Sequence, residues 1–358
     1  MRSSARPRLD PLPGGCAAAG GDTSAGLAAA RALPHGRSMP ALAALLIRPL
    51  AAIGRLGAGG IALSLVAGLA VPVVGGWLKP FLPLLVGLFV TLGFARMDVA
   101  RVRAAARRPA AFLLALLWLV VSMPAAMWLA LTLIGRANID PGLVLGLSLQ
   151  AAAAPILATP AVAIILGLEP TFALLLLTAH MAILPLVAPL LAAVVAGDAV
   201  PLDGWAIARN LALLIAGAGA AAALIRARFS LADIRRAQAP IDGLNVIFFF
   251  LFALAIMDGV AARAMREPGL VAMHVAIAFA LSIGGLAAGF LALRRMIGAG
   301  DAFVAGYATG HRNAGLMIAA MGGALPDVTW LYFACVQAPI YFVPWMIAPL
   351  ARRLLCDR

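Results

Sequence analysis

The side chains able to do chemistry gather in two apolar stretches. Thr309-Gly310-His311-Arg312-Asn313-Ala314-Gly315 interrupts residues 301–323, and Gln150 with Pro155-Ile156-Leu157-Ala158-Thr159-Pro160 interrupts residues 141–167. An arginine near the centre of a membrane helix costs roughly 2.5–3.5 kcal/mol on insertion scales, so Arg312 needs a partner: an anionic substrate, a carbonyl or a carboxylate. Thr309 and Asn313 offer neutral hydrogen bonds. His311 is a plausible proton carrier, since imidazole titrates near neutrality, although the adjacent guanidinium opposes a second positive charge. Each proline removes a backbone donor and clashes with the carbonyl one turn earlier, so two of them five residues apart argue against a continuous helix. Two readings follow. In one, both segments are discontinuous helices that cross at the membrane midplane, where half-helix ends present their dipoles to substrate and ions. In the other, the prolines only kink a span and Arg312 pairs with a carbonyl or carboxylate.

The elements that must hold these residues are membrane helices. The chain has 358 residues, 64% hydrophobic and only 11% charged, with a mean hydropathy of +1.04. Soluble domains carry about 25% charged residues, so a soluble enzyme, a disordered regulator and a disulfide-stapled module are excluded. The net charge of +13 does not indicate a nucleic-acid partner, because the arginines lie in short clusters between apolar stretches. Cys16, Cys335 and Cys356 form no CxxC pair, and His35, His180, His274 and His311 form no HExxH, so no metal site is expected. No GxSxG, Walker loop or carboxylate pair suggests an enzyme.

A membrane-crossing helix needs about 20 apolar residues. The sequence predicts an all-α polytopic membrane protein of ten spans, at roughly 60–78, 80–97, 109–134, 141–167, 171–197, 204–225, 241–261, 270–293, 301–323 and 328–350. Asp140-Pro141 offers an N-cap with proline at the first helical position, and Asp301 and Asp327 are expected to cap the last two spans. With the N-terminus inside, the clusters Arg96 to Arg108, Arg226 to Arg236, Arg294-Arg295 and Arg352 to Arg358 fall inside, as do the arginines before residue 60. Only Lys79, Arg136, Arg263 and Arg266 then fall outside. Both termini are therefore expected in the cytoplasm, in a bacterial-type inner (plasma) membrane. Residues 1–40 read as a disordered extension with Met39 as an alternative start, 41–59 as an interfacial lead-in and 351–358 as a cytoplasmic tail. Residues 60–197 and 204–350 read as two five-helix repeats, the second inserted upside down. Gly167-x-x-Pro170 is echoed by Gly323-x-x-Pro326, and Ala188-Pro189-Leu190 by Ala348-Pro349-Leu350. Gly285 and Gly289 have the spacing of close helix packing. His180 and Gln337 either line the site or hydrogen-bond across helices. Asp242 and Asp258 read as helix-end groups, and Arg209 and Asn210 as snorkelling side chains.

Thr309-Gly310-His311-Arg312-Asn313-Ala314-Gly315-Leu316 resembles the Thr-Gly-x-Gln/Arg-Asn-x-x-Leu segment of bile acid:sodium symporter family transporters. The proline-containing stretch at 155–160 is similar to that family's other crossover helix, and Arg108-Pro109 and Met123-Pro124 also fit. The resemblance implies ten helices in two inverted repeats with discontinuous, crossing helices 4 and 9. It further implies a panel and a core domain with a small organic anion passing between them, and arsenite efflux permeases as relatives. The site it implies comprises Thr159, Thr309, Gly310, His311, Arg312 and Asn313, with Gln150 and Gln337 as weaker members. Sodium-coupled members carry a Glu before the Thr-Gly and a Gln before the Asn, where this chain has Ala308 and Arg312. A guanidinium repels a cation and can fill its place. Sodium coupling is therefore expected to be weak or absent, Thr159 and Asn313 being the remaining weak sodium candidates. Arg312 then either binds the substrate anion or stands in for an ion. The alternatives are a proton-coupled or uncoupled permease of the arsenite type, or a non-transporting membrane sensor. The chain is expected to act as a monomer or homodimer.

Overall fold

The computed structural model describes residues 41–54, 57–70, 72–98, 109–322 and 325–356, and among these every regular element is helical. The readings placed on residues 1–40, Met39 included, and on 357–358 lie outside the described residues. Helices α1 (Ala41–Gly54), α2 (Gly57–Ala70) and α3 (Pro72–Leu78) lead through a 3-10 turn, Lys79–Phe81, into α4 (Leu82–Ala95). Then come α5 (Pro109–Ile134), α6 (Pro141–Ala152), α7 (Thr159–Ile165), α8 (Pro170–Ala196), α9 (Gly204–Arg228) and α10 (Leu231–Arg236). The chain continues with α11 (Gln238–Ile256), α12 (Val260–Arg266), α13 (Pro268–Ile297), α14 (Ala299–Gly310), α15 (Ala314–Ala320) and α16 (Asp327–Cys356).

Among the described residues seven stretches are long and apolar enough to cross a membrane: Val74–Ala95, Pro109–Ile134, Pro170–Ala199, Gly204–Arg228, Gln238–Ile256, Pro268–Ile297 and Asp327–Ile347. Leu63, Leu133, Leu186 and Leu224 are each more than half exposed, as are Trp77, Trp205 and Trp345. Such a surface is stable where the surrounding solvent is lipid. The chain is an all-helical, multi-pass membrane protein.

Proline sets several boundaries. It tolerates the first helical turn, where its missing N–H has no partner to lose, and breaks interiors. Pro141 opens α6 behind Asp140, whose carboxylate accepts the Gly142 and Leu143 amides as expected. Pro170 opens α8 behind Glu169, which accepts the Thr171 amide. Pro72 divides the predicted 60–78 span into α2 and α3. The predicted 141–167 and 301–323 spans each fall into two helices, the first of 12 residues and the second of 7 in both cases. Asp301 is not the N-cap of α14, because that helix begins two residues earlier and Asp301 lies in its first turn. Residues 351–356, read as tail, continue α16.

Helix α11 organises one side of the molecule. Gly68 approaches Ala253 and Gly75 approaches Asp258, so α2 and α3 pass along α11 in its own direction, while Gly54 meets Ala239 and Gly243, and Leu50 meets Gly243, near its start. Leu50 and Gly243 meet backbone to backbone, since a Cβ on Gly243 would lie 1.8 Å from the Leu50 carbonyl oxygen. Helix α4 runs the opposite way, with Phe89 against Phe248, Phe249 and Phe252. Ion pairs tie both ends of this pairing: Lys79 with Asp258 at 2.8 Å and Arg96 with Asp242 at 2.8 Å. Asp258 stands sixteen positions after Asp242, about 24 Å at the helical rise, close to the hydrocarbon thickness of about 30 Å. On the other side, α13 and α14 share a glycine seam. A Cβ on Gly310 would lie 2.0 Å from the Ser282 carbonyl oxygen, and one on Gly306 2.4 Å from that of Leu286. Gly285 and Gly289 face these positions, as their spacing indicates.

Candidate crossover site

The two interruptions meet. Residues 153–158, between α6 and α7, pass antiparallel to residues 311–313, between α14 and α15, in a short bridge of Pro155 with Arg312. The Ile156 amide donates to the His311 carbonyl at 2.9 Å, and the Asn313 amide to the Ala154 carbonyl at 2.8 Å. Pro155 sits between these two bonds, where the pairing asks for no donor, so its missing N–H is harmless. Backbone groups freed by unwinding are thereby satisfied inside the protein, the condition for irregular chain at membrane depth.

Arg312 closes the arrangement. Its side chain is 1% exposed, and Nε donates to the Thr309 carbonyl at 2.9 Å. Nη1 donates to Ala153 at 2.9 Å and Nη2 to Leu119 in α5 at 2.8 Å. Thr309 and Ala153 lie at the C-terminal ends of the two 12-residue helices. Each such end carries about half a negative charge, so the guanidinium neutralises two converging dipoles and binds three separate elements with one planar fork. The expected pairing with a carbonyl is thus observed together with the crossing of two broken helices.

The other ends are also occupied. The Thr159 amide and hydroxyl both donate to the Ile156 carbonyl, opening α7. Asn313 caps α15 by accepting the Leu316 amide at 3.2 Å. At the far end of α15, Asn210 of α9 donates to the Ala320 carbonyl at 2.8 Å. Asn210 therefore holds a half-helix rather than snorkelling. Gly167 after α7 and Gly322 after α15 both take positive φ, +74° and +66°, closing each short helix with the left-handed residue that glycine supplies.

Of the residues expected to touch substrate, Thr309, Gly310, His311 and Arg312 are buried, and Asn313 alone in this segment is partly exposed. The Thr309 hydroxyl returns to the Ala305 carbonyl of its own helix. Gly310 packs against Ser282. His311 Nδ1 donates to the Tyr307 carbonyl at 3.1 Å, Nε2 meets the Ser282 hydroxyl at 2.9 Å, and its ring stacks on Tyr307 with centroids 4.0 Å apart. Because a carbonyl only accepts, Nδ1 carries a proton. Thr159 is itself buried, beside Tyr307 at a small cavity between α7 and α14.

The weaker members sit apart from the crossing. Gln150 accepts the Tyr332 hydroxyl, tying α6 to α16, while Gln337 donates to Phe333 of its own helix. His180 is buried with neither ring nitrogen bonded among the described residues. Asp242 and Asp258 are helix-end groups, each with the cationic partner given above.

Sequence reasoning missed Leu119, Ser282, Asn210 and Tyr332. The Leu119 carbonyl carries no side-chain signal at all. Asn210 did: an amide in an apolar helix must find an acceptor. Around residues 311–313 the glycine on α15 follows the same logic, Gly315 lying against Val86 of α4 and Phe252 of α11, so the crossing abuts the α4–α11 side of the molecule. No family model matches the chain, and no curated protein sequence matches it.

Proposed function

We propose that this protein is a secondary transporter of a small organic anion, of the bile acid:sodium symporter type, working by alternating access. The observation that carries this reading is the crossing of two broken helices on a buried guanidinium. Irregular backbone with converging half-helix ends is the arrangement from which carriers build midplane sites. The matched 12-plus-7 division of the two broken helices, and the positive-φ glycine closing each short half, support a ten-helix chain of two inverted repeats. In that reading α2 with α3 forms the first crossing and α4 the second. Both termini are cytoplasmic and the membrane is the inner (plasma) membrane.

The substrate passes between the α4–α11 side and the helices that hold the crossing, with Asn313 nearest its path and Thr159 buried behind it. Arg312 serves as the resident cation of the crossing rather than as the direct ligand of the anion, its donors being taken by carbonyls. Sodium is then not needed there. Uncoupled or proton-driven movement of the anion is the second form of the same reading, favoured by that occupancy.

The test is a thermal-shift screen of organic anions against the purified full-length protein, in sodium and in choline buffer, followed by uptake of each hit into proteoliposomes. A hit whose stabilisation and uptake are equal in both buffers supports the proposal. Uptake that requires an inward sodium gradient at fixed potential overturns the assignment of Arg312 as the resident cation. Absence of uptake for every stabilising anion overturns the transport reading.

A further inference from the structure

A groove of about 400 Å³ opens at the end of the molecule that carries the arginine clusters, between α4 and α9, lined by Phe94, Met97, Gly219, Ala222, Ala223 and Arg226. Its volume is in the range of about 300–1,000 Å³ typical of small-molecule sites. Its wall is apolar except at one point, the half-buried guanidinium of Arg226 in the last turn of α9. Nη1 of that group is shielded from solvent and has no hydrogen-bond acceptor among the described residues. The nearby carboxylates are engaged elsewhere, Asp98 with Arg235 at 2.9 Å and Asp242 with Arg96 at 2.8 Å, and among the described residues none pairs with Arg226. A cation whose donor is removed from water without an acceptor is costly to the fold, and an incoming anion relieves that cost.

We infer that this groove binds an anionic glycerophospholipid, its phosphate held by Arg226 and the start of an acyl chain lying along Phe94, Ala222, Ala223 and the open backbone of Gly219. Three features select this occupant. The forked guanidinium matches two phosphate oxygens. The remaining lining offers an alkyl chain an apolar surface and no further polar contact. The groove lies at the level of the Arg96–Asp242 pair, where the headgroups of an anionic leaflet concentrate around cations. The inference does not depend on transport.

The experiment uses the full-length protein in a neutral detergent, titrated with dioleoyl phosphatidylglycerol or dioleoyl phosphatidylcholine while its thermal unfolding is followed. Phosphatidylglycerol is expected to raise the midpoint by roughly 3 °C or more beyond phosphatidylcholine. Arg226→Gln removes that difference. So does Gly219→Leu, which fills the groove without touching the charge, since a Cβ at Gly219 meets nothing within 4 Å. Arg228→Gln, at an exposed cation two residues away, retains the difference. sn-Glycerol 3-phosphate, which has the headgroup charge and no chain, produces no shift. The inference is overturned if phosphatidylglycerol has no advantage in the wild type, if either groove variant keeps it, if Arg228→Gln loses it equally, or if glycerol phosphate alone reproduces it.

Discussion

The guanidinium of Arg312 and the carbonyl of Ala153 stand 2.9 Å apart although 159 residues separate them along the chain. That one bond joins the unwound middle of one broken helix to that of the other. The same side chain reaches Thr309 and Leu119. A lysine has the charge but not the fork, so it can hold only part of this set.

Arg312→Lys is accordingly expected to lower the melting temperature of the purified protein by roughly 5 °C or more. Arg312→Ala, which removes all three hydrogen bonds to buried carbonyls, should be worse, by about 3 kcal/mol or more. Under the proposed function both abolish uptake. Melting curves that coincide with the wild type for both variants would remove Arg312 from its structural role.

Gly310 and Gly217 are both helical glycines with opposite surroundings. A methyl group on Gly310 would sit 2.0 Å from the Ser282 carbonyl oxygen, whereas one on Gly217 meets nothing within 4 Å. Gly310→Ala should therefore separate α13 from α14 and cost about 3 kcal/mol or more by overpacking. Gly217→Ala should be neutral or stabilising by about 0.5–1 kcal/mol through helix propensity. Paired unfolding curves decide it, and equal effects would refute the seam.

Outside the membrane spans, Ser230 and Asp233 form a reciprocal capping box at the start of α10. The Ser230 hydroxyl and amide hold the Asp233 carboxyl below its usual range. A carboxyl whose folded value is depressed stabilises its helix above the unfolded value, and that contribution is lost as pH falls through the folded value. Amide exchange of residues 231–236 should thus accelerate, relative to the rest of the protein, as pH drops below the ordinary carboxylate range. Asp233→Asn should show the faster exchange already at neutral pH and no such acid step.

Orientation can be read with cysteine labelling in a background free of the native cysteines. Lys79→Cys should react with an impermeant maleimide in intact cells, and Arg235→Cys only after permeabilisation. Both sites are at least a third exposed and each loses an ion pair worth about 0–1 kcal/mol, so the variants keep their fold. The reverse pattern would invert the topology.

Much of this architecture was legible from residue types. Pro155, Pro160 and the run Thr309 to Asn313 mark the breaks because proline and mid-membrane polarity are local properties. Gly285 and Gly289 mark the seam because close packing needs the absence of a side chain. The division of residues 60–78 at Pro72 was legible in principle, but uniform apolarity masked it. What could not be read is partner identity. Arg312 ends on three backbone carbonyls, groups that every residue possesses, so nothing distinguishes Leu119 in advance. The Tyr332–Gln150 contact joins residues 182 positions apart and depends on how α6 lies against α16. Asn210, adjacent to Arg209, invited a common explanation with its neighbour, yet only Asn210 turns inward to α15.

Because Arg312 belongs to the polypeptide, the positive charge at the crossing is present from the moment of synthesis and has no dissociation constant. A bound ion stabilises a fold in proportion to the logarithm of its concentration. A covalently tethered one contributes the same amount in brine and in distilled water. At this locus the chain itself supplies the charge on which the two broken helices converge.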